Sequence, residues 1–388
     1  MGRFPELTQR MGFGMLRIPL VEDGVVDVEK TNEIVDCFID GGFNYFDTSH
    51  NYLGGASERA IKSCISSRYP RDRFILGNKL SRAYFNCYED IRPLFESQLE
   101  ICGVDYFDFY FMHSQNLIRY NKFKSQGAYD IVKDFKKEGK IKHLGISFHD
   151  KAEVLDMILR ENPHIEAVQI QFNYYDYDSP SIESRKVYDV CRKYDKAVFI
   201  MEALRGGSLV MNLPDEAKEE FAKYSDRSPA SYGYRFAASF DGVELVLSGS
   251  STKEQMLENM ETMRNFEPLS EEEMELCFRV AKMIKNKGMI DCTSCCYCME
   301  GCPKHIRIPE IFSLLNAKTQ FSGDSWSTEM FYHEDITTEG NKASDCIKCG
   351  NCERECPQGL PIRELLEVAV EEFEHKPRTI AGFGKNSK

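Results

Sequence analysis

Two strings near the C-terminal end of this 388-residue chain repeat one spacing. "CTSCCYCMEGCP" sets Cys292, Cys295, Cys298 and Cys302 as C-x2-C-x2-C-x3-C, with Pro303 next. "CIKCGNCERECP" does the same with Cys346, Cys349, Cys352 and Cys356 ahead of Pro357. On a turning loop the first three thiols of each string can face one centre, while the fourth, held beside proline, is carried away from it. Of fifteen cysteines, nine lie between 292 and 356. Cys37, Cys64, Cys87, Cys102, Cys191 and Cys277 stand singly in strand and helix patterns, as small apolar fillers do.

Three chemistries use such cysteines. Disulfides need an oxidising compartment, and no secretory signal is visible. Zinc needs two pairs per ion, which leaves the third cysteine and the proline without a purpose. The spacing is similar to that of bacterial two-cluster ferredoxins, whose fourth cysteine ligates the other [4Fe–4S] cluster. That resemblance implies one cluster on Cys292, Cys295, Cys298 and Cys356, and a second on Cys346, Cys349, Cys352 and Cys302. Cys296 is surplus.

With 42% hydrophobic and 29% charged residues the chain is globular, and its length favours two domains. A net charge of −13 excludes nucleic acid and anionic membranes as expected partners. The opening "MGRFPELTQR" has no apolar h-region, Glu6 departs from a myristoylation motif, and no stretch approaches membrane-spanning length, so the expected location is cytoplasmic. The composition shifts at Pro268, where "EPLSEEEMELCF" begins a helix with Ser270 as N-cap. The expected domains are 1–268 and 269–388.

Residues 1–268 alternate. "FNYFD" (43–47), "RFILGNKL" (73–80), "FDFYFMH" (107–113), "HLGISF" (143–148), "AVQIQFN" (167–173), "AVFIME" (197–202) and "ELVLSG" (244–249) are apolar runs of strand length, and "GFGMLRI" supplies another. Helix-period segments lie between them. Strands buried on both faces and alternating with helices predict a parallel sheet, and eight units predict a (β/α)8 TIM barrel. The alternative, a doubly wound open sheet, lacks its G-x-G-x-x-G turn. Chemistry in a barrel gathers where strands end, and the strand ends carry Asp47, Lys79, His113, Ser147, Gln169 and Glu202. One strand-end Asp or His is commonly a satisfied cap. An Asp, a Tyr five residues later, a Lys and a His on successive ends form a constellation.

"FDTSHNYLGGASE" resembles the D-T-x-x-x-Y…S-E signature of aldo-keto reductases, with "NKL" and "FYFMHS" where that family carries its lysine and histidine. "GFGMLRIP", "GISF", "VQIQFNY", "MEALRGGSL" and "LSGSSTKEQMLENM" follow in family order over residues 8–265. With the cysteine tail, the chain looks like the branch bearing a ferredoxin-like C-terminal domain. The resemblance implies that NADPH or NADH and a small-molecule carbonyl or alcohol react at Asp47, Tyr52, Lys79 and His113. Tyr52 would be the acid, Lys79 would lower its pKa, Asp47 would orient Lys79, and His113 would hold the carbonyl oxygen. It further implies cofactor contacts from Ser147, Gln169, Met201, Ser250, Gln255 and Asn259. Phe148 stands where the family has Asn, and Met201 where relatives stack an aromatic ring. Gly249 and Gln255 replace basic residues that hold a 2′-phosphate, with Lys253 the nearest substitute.

A hydride carries two electrons and a cluster one. The clusters therefore serve electron exchange, with a redox protein as partner, or staple a small tail. The alternative function is an electron-transfer or redox-sensing module whose barrel is a binding platform. Residues 308–318 and 360–374 read as helices, 319–344 as an insertion holding Trp326, and 375–388 as a loose tail.

Overall fold

In the computed structural model the described residues are 2–22, 25–180, 182–211, 213–285, 290, 292, 297–320, 326–337, 341–356 and 360–375. Cys295, Cys296 and the tail from 376 lie outside them. The chain falls into two compact units: Met1–Arg205 with Arg227–Cys277, and Gly206–Asp226 with Phe278–Lys388.

The first unit is built on eight strands: β1 (Met11–Gly14), β2 (Tyr45–Asp47), β3 (Ile75–Leu80), β4 (Phe107–Gln115), β5 (Ile141–Phe148), β6 (Ala167–Gln171), β7 (Ala197–Met201) and β8 (Val243–Ser248). Each pairs in parallel with its sequence neighbours and β8 closes on β1, so the sheet is a closed barrel. The open-sheet alternative is thereby excluded. The helices Val28–Asp40, Tyr88–Cys102, Ala128–Lys137, Ala152–Glu161, Ser184–Lys193, Pro229–Ala238 and Lys253–Arg264 follow the expected pattern. Ser270 caps the helix Glu271–Lys285 reciprocally: Glu273 N donates to Ser270 Oγ (3.2 Å) and Ser270 N to Glu273 Oε2 (3.0 Å).

Several pieces escaped the sequence pattern, among them the helix Asp215–Tyr224. A short antiparallel hairpin pairs Leu20–Glu22 with Val25–Val26. The helix Leu117–Ser125 buries only Tyr120 and Phe123, too few apolar positions for a 3.6-residue repeat to show. "ERAIKSCISS" divides into an α-turn, Ala56–Ala60, and a π-turn, Ile61–Ser66.

Side chains alternate across a strand with period two, so residues two apart share the barrel interior. Phe4, Tyr45, Ile75, Phe109, Phe111, Phe199 and Leu245 belong to one buried core cluster there. Such rings fit because facing positions are small: a Cβ on Gly77 would run into Tyr45 Oη, and one on Gly145 into the Phe111 ring. One step further along each strand the interior turns polar. Tyr45 gives way to Asp47, Gly77 to Lys79, Phe111 to His113, Gly145 to Ser147, and Ala167 to Gln169.

In the second unit the helices Ile308–Gln320 and Ile362–Val370 share a core with Tyr332 and Phe373. Cys298 and Cys352 are themselves part of that core, and Cys292, Cys302, Cys346 and Cys356 pack against it. Asn351 Nδ2 donates to Gly301 O (3.1 Å), tying one cysteine string to the other.

Candidate active site

Asp47 ends β2 and Lys79 is the last residue but one of β3, strands paired with Asp47 opposite Gly77. Lys79 is 0% and Asp47 2% exposed. The Lys79 ammonium is ion-paired with Asp47 Oδ1, donates to Thr48 O (2.8 Å), and lies 4.7 Å from the centre of the Tyr52 ring. Asp47 Oδ2 also accepts from Gln169 Nε2 (3.3 Å) and Tyr45 Oη (3.5 Å). Burial works against the charge on Lys79, but Asp47 and the phenol outweigh it and hold the amine above its ordinary pKa. A buried ammonium is tolerable only with such partners.

Tyr52 opens a turn, Tyr52–Gly55, in which Leu53 and Gly54 take left-handed backbone. Its ring centre lies 5.9 Å from that of His113, at 75°. Burial pushes the phenol up, Lys79 pulls it down, and Asp47 pushes it up again; the net direction is upward. The expected pull from Lys79 is present, but desolvation outweighs it, so Tyr52 keeps its proton at neutral pH.

His113 ends the inward row of β4, and Ser114 beside it has φ of +49°. Such backbone is costly for a residue with a Cβ and gathers at functional sites. Ser81 Oγ and Ser49 Oγ contact His113 Nδ1 at 2.7 and 3.2 Å. Burial, followed by the Lys79 charge, sets the imidazole well below its ordinary pKa, so the ring is neutral. With Nδ1 engaged by hydroxyls, Nε2 remains for another group.

The loop carrying Tyr52 is anchored by Glu58. This buried carboxylate accepts from Asn78 Nδ2 and Gln98 Nε2 (both 2.8 Å) and meets His50 Nδ1 at 2.6 Å. Gln98 also donates to Lys79 O (3.1 Å). No sequence signal assigns a role to Glu58 or Ser49, which lie within the family signature, or to Ser81.

Ser147 and Gln169 pair across β5 and β6 and are both buried. Phe148 falls on the other face of β5 by alternation. Met201, part-exposed, ends β7 opposite Gln171. Glu202, next along, has φ of +58° and adds to the upward push on Tyr52. Ser250 and Asn259 belong to a separate buried knot: Asn259 Nδ2 donates to Ser250 Oγ (3.1 Å) and Ser248 Oγ (3.2 Å), and Tyr234 Oη donates to Ser248 Oγ (2.9 Å). Gln255 is exposed, with its Oε1 accepting from Ser251 N (2.9 Å). No hydrogen bond joins this knot to the Asp47–Lys79 pair among the described residues.

In the second unit Cys302, Cys346, Cys349 and Cys352 line one cavity, with Ile306, Ile308 and Leu366. Cys302 comes from the first string and the other three from the second. Lys348 and Gly350, both left-handed, set the bends between those three. The described cysteines are all unbridged. Among the described residues no three His, Cys, Asp or Glu side chains meet closely enough to hold a single ion. No helix among them is long and apolar enough to cross a membrane.

Residues 10–282 match the model of the Aldo/keto reductase family, and residues 291–361 match that of the 4Fe-4S dicluster domain. The chain belongs to the aldo/keto reductase family and carries a C-terminal 4Fe-4S dicluster domain. It is 26% identical over 301 residues to Protein REDOX 2 of Catharanthus roseus, covering 70% of this chain and 87% of that protein. It is 24% identical over 231 residues to the 9,11-endoperoxide prostaglandin H2 reductase of Trypanosoma cruzi, covering 59% of this chain and 72% of that one. A solved aldo-keto reductase from Klebsiella pneumoniae in complex with NADPH superimposes with a TM-score of 0.57 at 20% identity, over 70% of this chain and 90% of that one.

Proposed function

We propose that the protein is an NAD(P)H-dependent oxidoreductase that interconverts a carbonyl and an alcohol on a small molecule. The observation that carries this reading is the convergence of Asp47, Lys79, Tyr52 and His113 at the C-terminal ends of β2, β3 and β4. The dinucleotide supplies a hydride when bound. Tyr52, protonated at neutral pH, gives its proton to the carbonyl oxygen as negative charge develops there. Lys79, held charged by Asp47, stabilises the phenolate left behind. His113, neutral and fixed through Nδ1 by Ser81 and Ser49, offers Nε2 to the same oxygen. In the reverse direction the phenolate takes the alcohol proton.

The residues present suit the dinucleotide. Ser147 and Gln169, buried side by side on neighbouring strands, offer the hydroxyl and amide that a carboxamide requires. Met201 supplies a thioether for the nicotinamide face, and Ser250, Gln255 and Asn259 would hold the adenosine end.

The four thiols around one cavity suit a [4Fe–4S] cluster, and Cys292, Cys295, Cys298 and Cys356 would hold a second; such clusters carry single electrons. Exchange with a redox protein is one role for them. The core that gathers around Cys298 and Cys352 favours the other, a staple for the tail.

The test is anaerobic purification with iron and sulfide quantitation, then oxidation of NADPH and NADH against a panel of aldehydes and ketones. Carbonyl-dependent oxidation of either cofactor is expected. Its absence across the panel contradicts the reading and favours the binding-platform alternative.

A further inference from the structure

The loop after β8 is where the family resemblance sets a grip on a 2′-phosphate, and this chain has no basic side chain at 249 or 255. Gln255 is turned back onto Ser251 N. Lys253 is exposed, and its charge acts on Asp36 and Cys37 of the helix Val28–Asp40. A cation reaches the loop from another part of the chain. Arg17, in the segment after β1, lays its side chain across Gly249: a Cβ on residue 249 would lie 3.2 Å from Arg17 Cδ, 3.6 Å from Cγ and 3.7 Å from Cβ. Gly249 thus faces the aliphatic stem of Arg17, and the guanidinium extends beyond it.

Two further observations bear on what it does there. Ser251 Oγ donates to Arg17 O (2.8 Å), so the two loops are tied together. Arg17 as a residue is part-buried, yet among the described residues its guanidinium has neither a carboxylate nor a hydrogen-bond partner. An unpaired guanidinium is a planar fork of donors with permanent charge, and a phosphate is the group it matches.

We propose that Arg17 grips the 2′-phosphate of NADPH and sets a preference for NADPH over NADH, with Gly249 leaving the space its stem occupies. This rests on the dinucleotide-dependent reading above.

The test is direct titration of the anaerobically purified full-length protein with NADP+ and with NAD+, followed by calorimetry. Wild type is expected to bind NADP+ more tightly. Arg17→Ala should weaken NADP+ binding about tenfold or more and leave NAD+ binding unchanged. Arg17→Gln keeps the stem over Gly249 without the charge and should behave alike, which decides the matter should Arg17→Ala fold poorly. Equal loss for both dinucleotides, or a wild-type protein without preference, overturns the role of Arg17 alone. Failure of wild type to bind either dinucleotide overturns the underlying reading as well.

Discussion

The barrel and the cysteine-rich unit assemble their sites by different means. In the barrel the polar groups sit at the ends of paired strands, and the chain itself satisfies them: Asp47 answers Lys79, Thr48 O takes a second ammonium proton, and serines hold His113. In the second unit the thiols of Cys302, Cys346 and Cys349, on loops, and of Cys352, on the short helix Asn351–Glu355, are brought to the wall of a shared cavity. A site fixed by strand register is complete before its ligand arrives, whereas a site fixed by loop spacing depends on what fills it. Substitutions in the two units should therefore fail differently.

The largest effect is expected from Lys79→Met. It leaves Asp47 buried without its cation, costing about 3–5 kcal/mol, and it removes the charge that stabilises the Tyr52 phenolate. Thermal unfolding and carbonyl reduction should both fall. A variant as stable as wild type would mean that the pair contributes little. Cys352→Ala should leave barrel stability and dinucleotide binding near wild type while iron content drops from about eight to about four atoms per chain. Turnover that survives this loss sharpens the contrast and supports the staple, whereas turnover that vanishes with the iron ties the units together functionally.

Gly77→Ala probes the packing beneath the site. Its methyl runs into Tyr45 Oη inside the barrel, and overpacking of this kind costs about 1–3 kcal/mol. Denaturant unfolding should register that shift with iron content unchanged. The smallest effect is an expected flatness. His113 is held well below its ordinary pKa by burial and by Lys79, so it stays neutral across the range where a free histidine titrates. Tyr52 is pushed upward by burial, so its proton is lost only above the ordinary phenol value of about 10. Reduction rates should show no inflection near the free-histidine value of about 6.5 and should decline on the alkaline side. An inflection there would require another titrating group at the mouth.

How legible this was differs by residue. Asp47, Lys79, His113, Ser147 and Gln169 could be read because alternation puts every second residue inside, and a polar residue ending an apolar run stands out. The ring of four cysteines could be read because its spacing is strict and doubled. Ser49 and Ser81 could not, since small hydroxyl residues in loops leave no periodic mark. The Leu117–Ser125 helix was hidden because it buries so little. The approach of Arg17 to Gly249 depends on barrel closure between β1 and β8, which brings together residues from opposite ends of the unit.

The most direct measurement of the central claim is steady-state carbonyl reduction by Tyr52→Phe beside its dinucleotide affinity. The phenol supplies the proton but not the binding surface, so affinity should hold while turnover falls about 10²–10⁴-fold. Turnover equal to wild type, with affinity intact, would contradict Tyr52 as the acid.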